Sequence, residues 1–225
     1  MKNLKIFCEG VTDQVFIADC LELLYKVNIR RKPKKNDNKK FNMTFDSGCE
    51  IVEVGGCSML TNDLFIQAMK ETEELNGTNI IIFDADFPSD VEGKGTGNRG
   101  FKSCVQKLED IKKNHSVKFE YLIWPNHSKD GEIEDLLRQL IPKEREPILD
   151  CICTHQDCLK SLELLNLRIA EPKEIIGYYL HTSFQESNVS RRDYKDSVFW
   201  NLDFESIDDL NKLRQFLDLY FVQKE

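Results

Sequence analysis

Carboxylates close two short apolar runs. Glu9 follows Lys5-Ile6-Phe7-Cys8 and leads into Gly10-Val11-Thr12-Asp13, and Asp84 and Asp86 follow Asn79-Ile80-Ile81-Ile82-Phe83. Apolar runs of this length, bounded by turn residues, predict buried strands. In a parallel sheet the C-terminal strand ends open onto one edge, where ligands bind, so Glu9, Asp84 and Asp86 are predicted to converge there. Three carboxylates at one spot repel one another unless a cation sits between them. Oxygen-only donors suit Mg²⁺ or Mn²⁺, and the chemistry predicted is phosphoryl transfer at a divalent metal. On an extended segment alternate side chains point the same way, so Asp84 and Asp86 are expected to ligate one metal or bracket two; the plainer alternative is a pair of surface acids on a loop. Asp13, in the first turn of the next helix, either adds a ligand or only complements the helix dipole. Glu132, Glu134 and Asp135 stand at another helix start, where acids are common for dipole reasons; Glu134 is the predicted ligand among them.

Alternating elements must carry these acids. Residues 4–8 predict a first strand, and Gly10 allows a tight turn before a helix capped by Thr12 that ends near Lys26. Residues 50–54 predict a second strand, followed by Gly55-Gly56 and a helix from about Ser58 to Leu75. Strand three is 79–83, and a helix from about Lys102 to Lys113 precedes strand four, 118–124, which Pro125 stops. Asp130 is the expected cap of the short helix carrying Glu134. Strand–helix alternation implies a right-handed, mostly parallel α/β sheet flanked by helices over residues 1–140. Residues 141–225 predict a helical extension: one helix over 148–165, one from Pro172, and one capped by Ser206 with Ile207, Leu210, Leu213, Leu217 and Tyr220 on one face.

Other motifs are less specific. Arg30, Arg31, Lys32, Lys34 and Lys35, with Lys39 and Lys40, form a basic segment that is either a nucleic-acid contact or a solvated insertion. The Gly93–Gly100 stretch lacks the Gly-Lys-Ser/Thr ending of a P-loop; it is a basic flap bringing Lys94, Arg99 and Lys102 to phosphates, or a plain loop. Cys151, Cys153, His155 and Cys158 superficially suggest zinc, but no second ligand pair has matching spacing, and thiols on an amphipathic helix are the better expectation.

With 225 residues, 40% hydrophobic and 31% charged, the composition is that of an ordinary soluble globular protein. No apolar run approaches a membrane span and the N-terminus lacks signal-peptide character, so a cytoplasmic location and no membrane partner are expected. The 8 cysteines are then expected as free thiols. A net charge of −8 argues against a sequence-blind DNA coat protein but is compatible with a nuclease.

Together, Glu9-Gly10, Asp84-Ala85-Asp86 and the Glu9-Gly10-Val11-Thr12-Asp13 form resemble the Toprim family, and most closely the nucleases of its overcoming-lysogenization-defect group and their small stand-alone bacterial relatives. Gly131-Glu132-Ile133-Glu134-Asp135-Leu136-Leu137 is similar to the later acidic element of those relatives. The resemblance covers roughly residues 1–140 and implies a Mg²⁺- or Mn²⁺-dependent nuclease acting on nucleic acid, DNA ahead of RNA. A non-catalytic Toprim-fold protein that binds nucleic acid or a partner is the alternative. Glu9 is implied as general acid/base or metal ligand, Asp84 and Asp86 as Mg²⁺ ligands, and Asp13 and Glu134 as completing the shell. Nucleases of that group also use a lysine late in the domain, for which Lys195 or Lys173 would serve. The chain departs from the larger members in lacking an ATPase domain, so regulation by ATP would need a separate partner protein.

Overall fold

The computed structural model describes residues 3–31, 42–46, 48–88, 99–183 and 193–222. The predicted strands form as β1 (Leu4–Cys8), β4 (Cys49–Glu53), β5 (Thr78–Asp84) and β6 (Glu120–Trp124). Two short strands not anticipated from sequence, β2 (Ile29–Arg30) and β3 (Met43–Phe45), extend one edge. The order is β2-β3-β4-β1-β5-β6, with β4, β1, β5 and β6 mutually parallel and β2 and β3 antiparallel. Among the described residues the helices are α1 (Val11–Tyr25), α2 (Asp63–Glu74), α3 (Phe101–His115), α4 (Ile133–Gln139), α5 (Glu146–Ser161), α6 (Pro172–Ser183) and α7 (Asp208–Phe221).

The period of two in the strands explains the layering. Ile6, Cys8, Ile80, Ile82, Leu122 and Trp124 face one side and pack with α1, α4, α6 and α7. Phe7, Val52, Ile81, Phe83 and Ile123 face the other and pack with α2 and α3. Both faces are therefore covered, which is why β5 is an unbroken apolar run rather than an alternating one. The C-terminal extension is not a separate core: Tyr179, Leu180, Leu210, Leu213 and Leu217 join the cluster that contains Ile6 and Phe16. Polar ties reinforce the docking. Asp19 of α1, fully buried, accepts from the Tyr194 N–H at 2.8 Å and from Arg31 at 2.5 Å. Asp209 of α7 accepts from Asn126 and Gln139, each at 2.8 Å.

Several local expectations are corrected. The cap of α1 is Gly10, not Thr12, and its N–H donates to Asp13 Oδ2 at 3.1 Å. The long helix expected from Ser58 is a 3₁₀ turn, Cys57–Thr61, then α2, because the Asn62 side chain accepts from Leu64 N and restarts the chain. Ser206 does not cap α7; its N–H and hydroxyl both donate to Asp203. The helix expected over 148–165 ends at Ser161, three residues after Cys158.

Candidate functional site

The turn after β1 supplies Glu9 and Gly10, the end of β5 supplies Asp84, Asp86 and Phe87, and the start of α4, after β6, supplies Glu132, Ile133 and Glu134. With Asp13 of α1, Arg99, and Glu171 and Lys173 at the start of α6, they line one cavity of about 530 Å³. Strands β1 and β5 are neighbours, yet α1 leaves β1 on one face and α3 leaves β5 on the other. That divergence opens a crevice at the carboxyl ends of the strands, where ligands bind in open α/β sheets. All five predicted carboxylates, Glu9, Asp13, Asp84, Asp86 and Glu134, line it.

Local structure fixes each acid differently. Asp13 is fully engaged by protein donors: Gly10 N–H on Oδ2 at 3.1 Å and the Trp124 indole N–H on Oδ1 at 3.0 Å. Asp84 Oδ1 accepts from Ile133 N–H at 2.8 Å, the opening residue of α4. Asp135 repeats the Asp13 arrangement at α4, accepting from Glu132 N–H at 2.9 Å, so it serves the helix start while buried Glu134 faces the cavity. Asp130 accepts from Phe101 N–H at 2.7 Å and thus caps α3 rather than α4.

The two-apart spacing of Asp84 and Asp86 does not act through extended geometry. Asp86 has a left-handed backbone with φ of 58°. It is held by paired hydrogen bonds with Gly131, 2.9 Å from its N–H and 3.1 Å to its carbonyl, and lies 3.8 Å from Arg99 Nε. Gly131 has φ of 142°, and a Cβ there would fall 2.6 Å from Asp135 Oδ2, so only glycine fits.

Electrostatics set this cavity apart. Seven carboxylates (Glu9, Asp13, Asp84, Asp86, Glu132, Glu134, Glu171) face two cations, Arg99 and Lys173. Burial, then repulsion from Asp13 and Asp86, raises Glu9 from 4.5 to about 7. Asp13 rises from 3.8 to about 6, chiefly through burial, against the N–H groups it accepts. Asp84 is pushed well up by burial and by Asp13, Glu9 and Glu134. Perturbed acids gathered in a cleft mark functional sites. The donor chemistry fits a hard cation. Among the described residues, however, no three His, Cys, Asp or Glu side chains are already arranged as a ligand set. Mg²⁺ takes one or two carboxylates directly and keeps waters, so the cavity fits such an ion without a preformed cage.

The other predicted residues are scattered. Lys195 is away from the cavity, ion-paired with Glu22 and 3.8 Å from Asp19; of the two lysines considered, Lys173 lines the cavity. Arg31 is committed to Asp19 and Glu22, so it is not an open phosphate contact, whereas Arg30 is exposed on β2. Lys32, Lys34, Lys35, Lys39, Lys40 and Lys94 lie outside the described residues. Lys102 is exposed on α3, outside the cavity lining. Sequence reasoning missed Trp124, whose buried indole orients Asp13; a tryptophan ending a buried strand needs a partner for its N–H. A larger groove of about 930 Å³ between α5 and α6, lined by Ile148, Ile152, Leu159 and Tyr178, contains none of the predicted acids. Cys151 and His155 border that groove.

An α/β protein with an acid-lined crevice at its strand switch is the class that fold and site define. The chain belongs to the family of proteins of unknown function DUF3226, which it matches over residues 3–218. No curated protein and no solved structure matches it. Among the described residues no helix is long and apolar enough to cross a membrane.

Proposed function

We propose that the acid cavity is a divalent-metal site for phosphoryl transfer on nucleic acid, in the manner of a Toprim nuclease of the overcoming-lysogenization-defect group. One observation carries this reading. Five carboxylates from three strand ends line a single cavity in which burial and mutual repulsion hold protons on groups that ordinarily lose them. A hard cation relieves that repulsion, and oxygen donors are what Mg²⁺ or Mn²⁺ takes. When bound, the metal supplies Lewis-acid stabilisation of a phosphodiester under attack by water. Glu9, held near neutrality in the metal-free cavity, is the group placed to take up or return a proton there, and a bound cation would draw its proton affinity down. Arg99 and Lys173 offer cationic donors to phosphate oxygens. Asp13 positions the turn that carries Glu9.

A second reading, a non-catalytic protein that binds nucleic acid or a partner through the same fold, is favoured by the commitment of Asp13 to the Gly10 and Trp124 N–H groups, which engages one of the five acids within the protein itself. The two separate in one assay. Purified protein is incubated with supercoiled plasmid, single-stranded DNA and structured RNA, with Mg²⁺ or Mn²⁺, beside Glu9→Ala and Asp84→Ala. Metal-dependent cleavage abolished in both variants is expected. No cleavage of any substrate, or cleavage undiminished in both variants, ends the enzyme reading.

A further inference from the structure

Helix α5 is the least covered helix among the described residues. Of its 16 residues only Gln156 is buried, whereas the shorter α7 buries Leu210, Leu213 and Leu217. Its sequence nonetheless carries a seam. Ile148, Ile152, His155, Leu159 and Leu162 recur at alternating steps of four and three, the spacing with which one helix lies against another. The flanking positions Leu149, Cys151, Gln156 and Cys158 are uncharged, and Glu146, Asp150, Asp157 and Lys160 fall on the other side of the helix. The first four seam residues line the groove of about 930 Å³ between α5 and α6. Polar groups of that lining are engaged within the chain: Gln156 accepts from Ala170 N–H at 2.9 Å and its amide meets His155 Nδ1 at 3.2 Å, while Arg168 donates to Glu174 at 2.6 Å. What the groove offers is apolar contact.

A second apolar feature adjoins it. In the turn after α5, Leu162, Leu164, Leu165 and Leu167 are 51%, 61%, 94% and 37% exposed, and Tyr178 of α6 is 47% exposed. Together they leave on the order of 500 Å² uncovered, so two copies bring about 1,000 Å², the area at which specific interfaces begin.

We propose that this face is a homodimer interface, in which α5 of one copy lies antiparallel in the α5–α6 groove of the other. A two-fold axis across the middle of α5 makes the contact isologous. It carries the leucine turn of each copy, at the C-terminal end of α5, to the Pro147–Ile148 end of the other copy's groove. A helix from a different protein would cover the seam and leave Leu164 and Leu165 bare; a second copy covers both. The same axis brings like flanks of the two helices together in reverse order. Cys151 and Cys158, free, exposed and on one flank at either side of the helix middle, therefore come opposite each other between copies.

The test uses the full chain. Sedimentation equilibrium at micromolar concentration should give twice the 26.3 kDa chain mass. Leu162→Glu with Leu165→Glu, both at exposed positions, should weaken self-association about a hundredfold by placing charge in the contact, with a circular dichroism spectrum matching wild type. The antiparallel arrangement is read separately. Cys151→Ser and Cys158→Ser proteins are mixed, allowed to exchange and treated with a short bis-maleimide. A covalent dimer on a denaturing gel should be more abundant in the mixture than in either variant alone, and peptide maps should join Cys158 of one copy to Cys151 of the other. Wild type that sediments as a monomer overturns the proposal, as does a folded Leu162→Glu, Leu165→Glu variant that dimerises as wild type does. Crosslinking no stronger in the mixture than in the separate variants overturns the antiparallel α5 contact. None of these readouts depends on metal or on cleavage of nucleic acid.

Discussion

Raising the pH should destabilise this protein, and Glu9 should carry much of the effect. In the fold its pKa rises from 4.5 to about 7. The folded state thus binds that proton more tightly than the unfolded chain does. Its contribution to stability is complete below the unfolded value and is lost as pH rises through the folded one. With 1.36 kcal/mol for each tenfold change in proton affinity, the loss is about 3 kcal/mol once Glu9 is ionised. For a chain of this size about 2–4 °C in Tm accompanies each kcal/mol, so melting should fall by about 5–10 °C between pH 5 and pH 8. Asp13, raised from 3.8 to about 6, acts in the same direction. The two effects do not add, because repulsion from Asp13 is already among the causes acting on Glu9. The assay is thermal melting in EDTA, followed by circular dichroism, for wild type and Glu9→Gln. The amide keeps the size of the side chain and removes its charge. Glu9→Gln should melt close to wild type at pH 5 and several degrees above it at pH 8. Mg²⁺ should restore wild type at pH 8 and do less for the variant. A melting temperature that is flat or rising from pH 5 to pH 8, or a variant no more stable than wild type at pH 8, refutes the electrostatic account.

Four further outcomes are expected. Lys173→Ala should reduce metal-dependent cleavage more than Lys195→Ala does, since Lys173 lines the cavity and Lys195 is paired with Glu22; equal losses in cleavage rate would argue otherwise. Gly131→Ala should cost about 1–3 kcal/mol in urea unfolding, from a strained backbone and a collision with Asp135; a neutral effect contradicts this. Asp19→Ala removes the acceptor of the Tyr194 N–H and one partner of Arg31 and Lys195, which keep Glu22, and should cost about 1–3 kcal/mol by the same measurement; a neutral effect contradicts this. Neutralising Lys32, Lys34 and Lys35 should weaken DNA binding in fluorescence anisotropy and flatten its salt dependence; unchanged binding assigns the segment to solvation.

The parallel core was legible because β1, β5 and β6 are buried runs that end abruptly, and both the apolar pattern and the turn residues mark those ends. The two edge strands were not: at two and three residues they carry too few positions for an alternation to register. Convergence of the acids followed from the parallel arrangement alone. The geometry of Asp86 did not, because its left-handed turn is imposed by pairing with Gly131, distant in sequence. The fate of Lys195 was equally hidden, since only the docking of the C-terminal segment brings it to Glu22 and Asp19.

The acids at the two helix starts divide their work in the same way. At α1 and again at α4, the third helical residue, Asp13 or Asp135, accepts the N–H of the capping residue and so fixes the turn at the end of the preceding strand. A neighbouring glutamate, Glu9 before one cap and Glu134 after the other, is left to line the cavity. Asp13 differs from Asp135 in being buried and in taking a second bond from Trp124, which draws it into the repulsion felt by Asp84. Asp13→Asn separates its two roles. The amide oxygen can retain one donor while the charge is lost, so the proton affinity of Asp84 should fall along with that of Glu9. Carboxyl titration by NMR would read this directly, and an Asp84 titration unmoved by the substitution would show that the two acids are not coupled through the cavity.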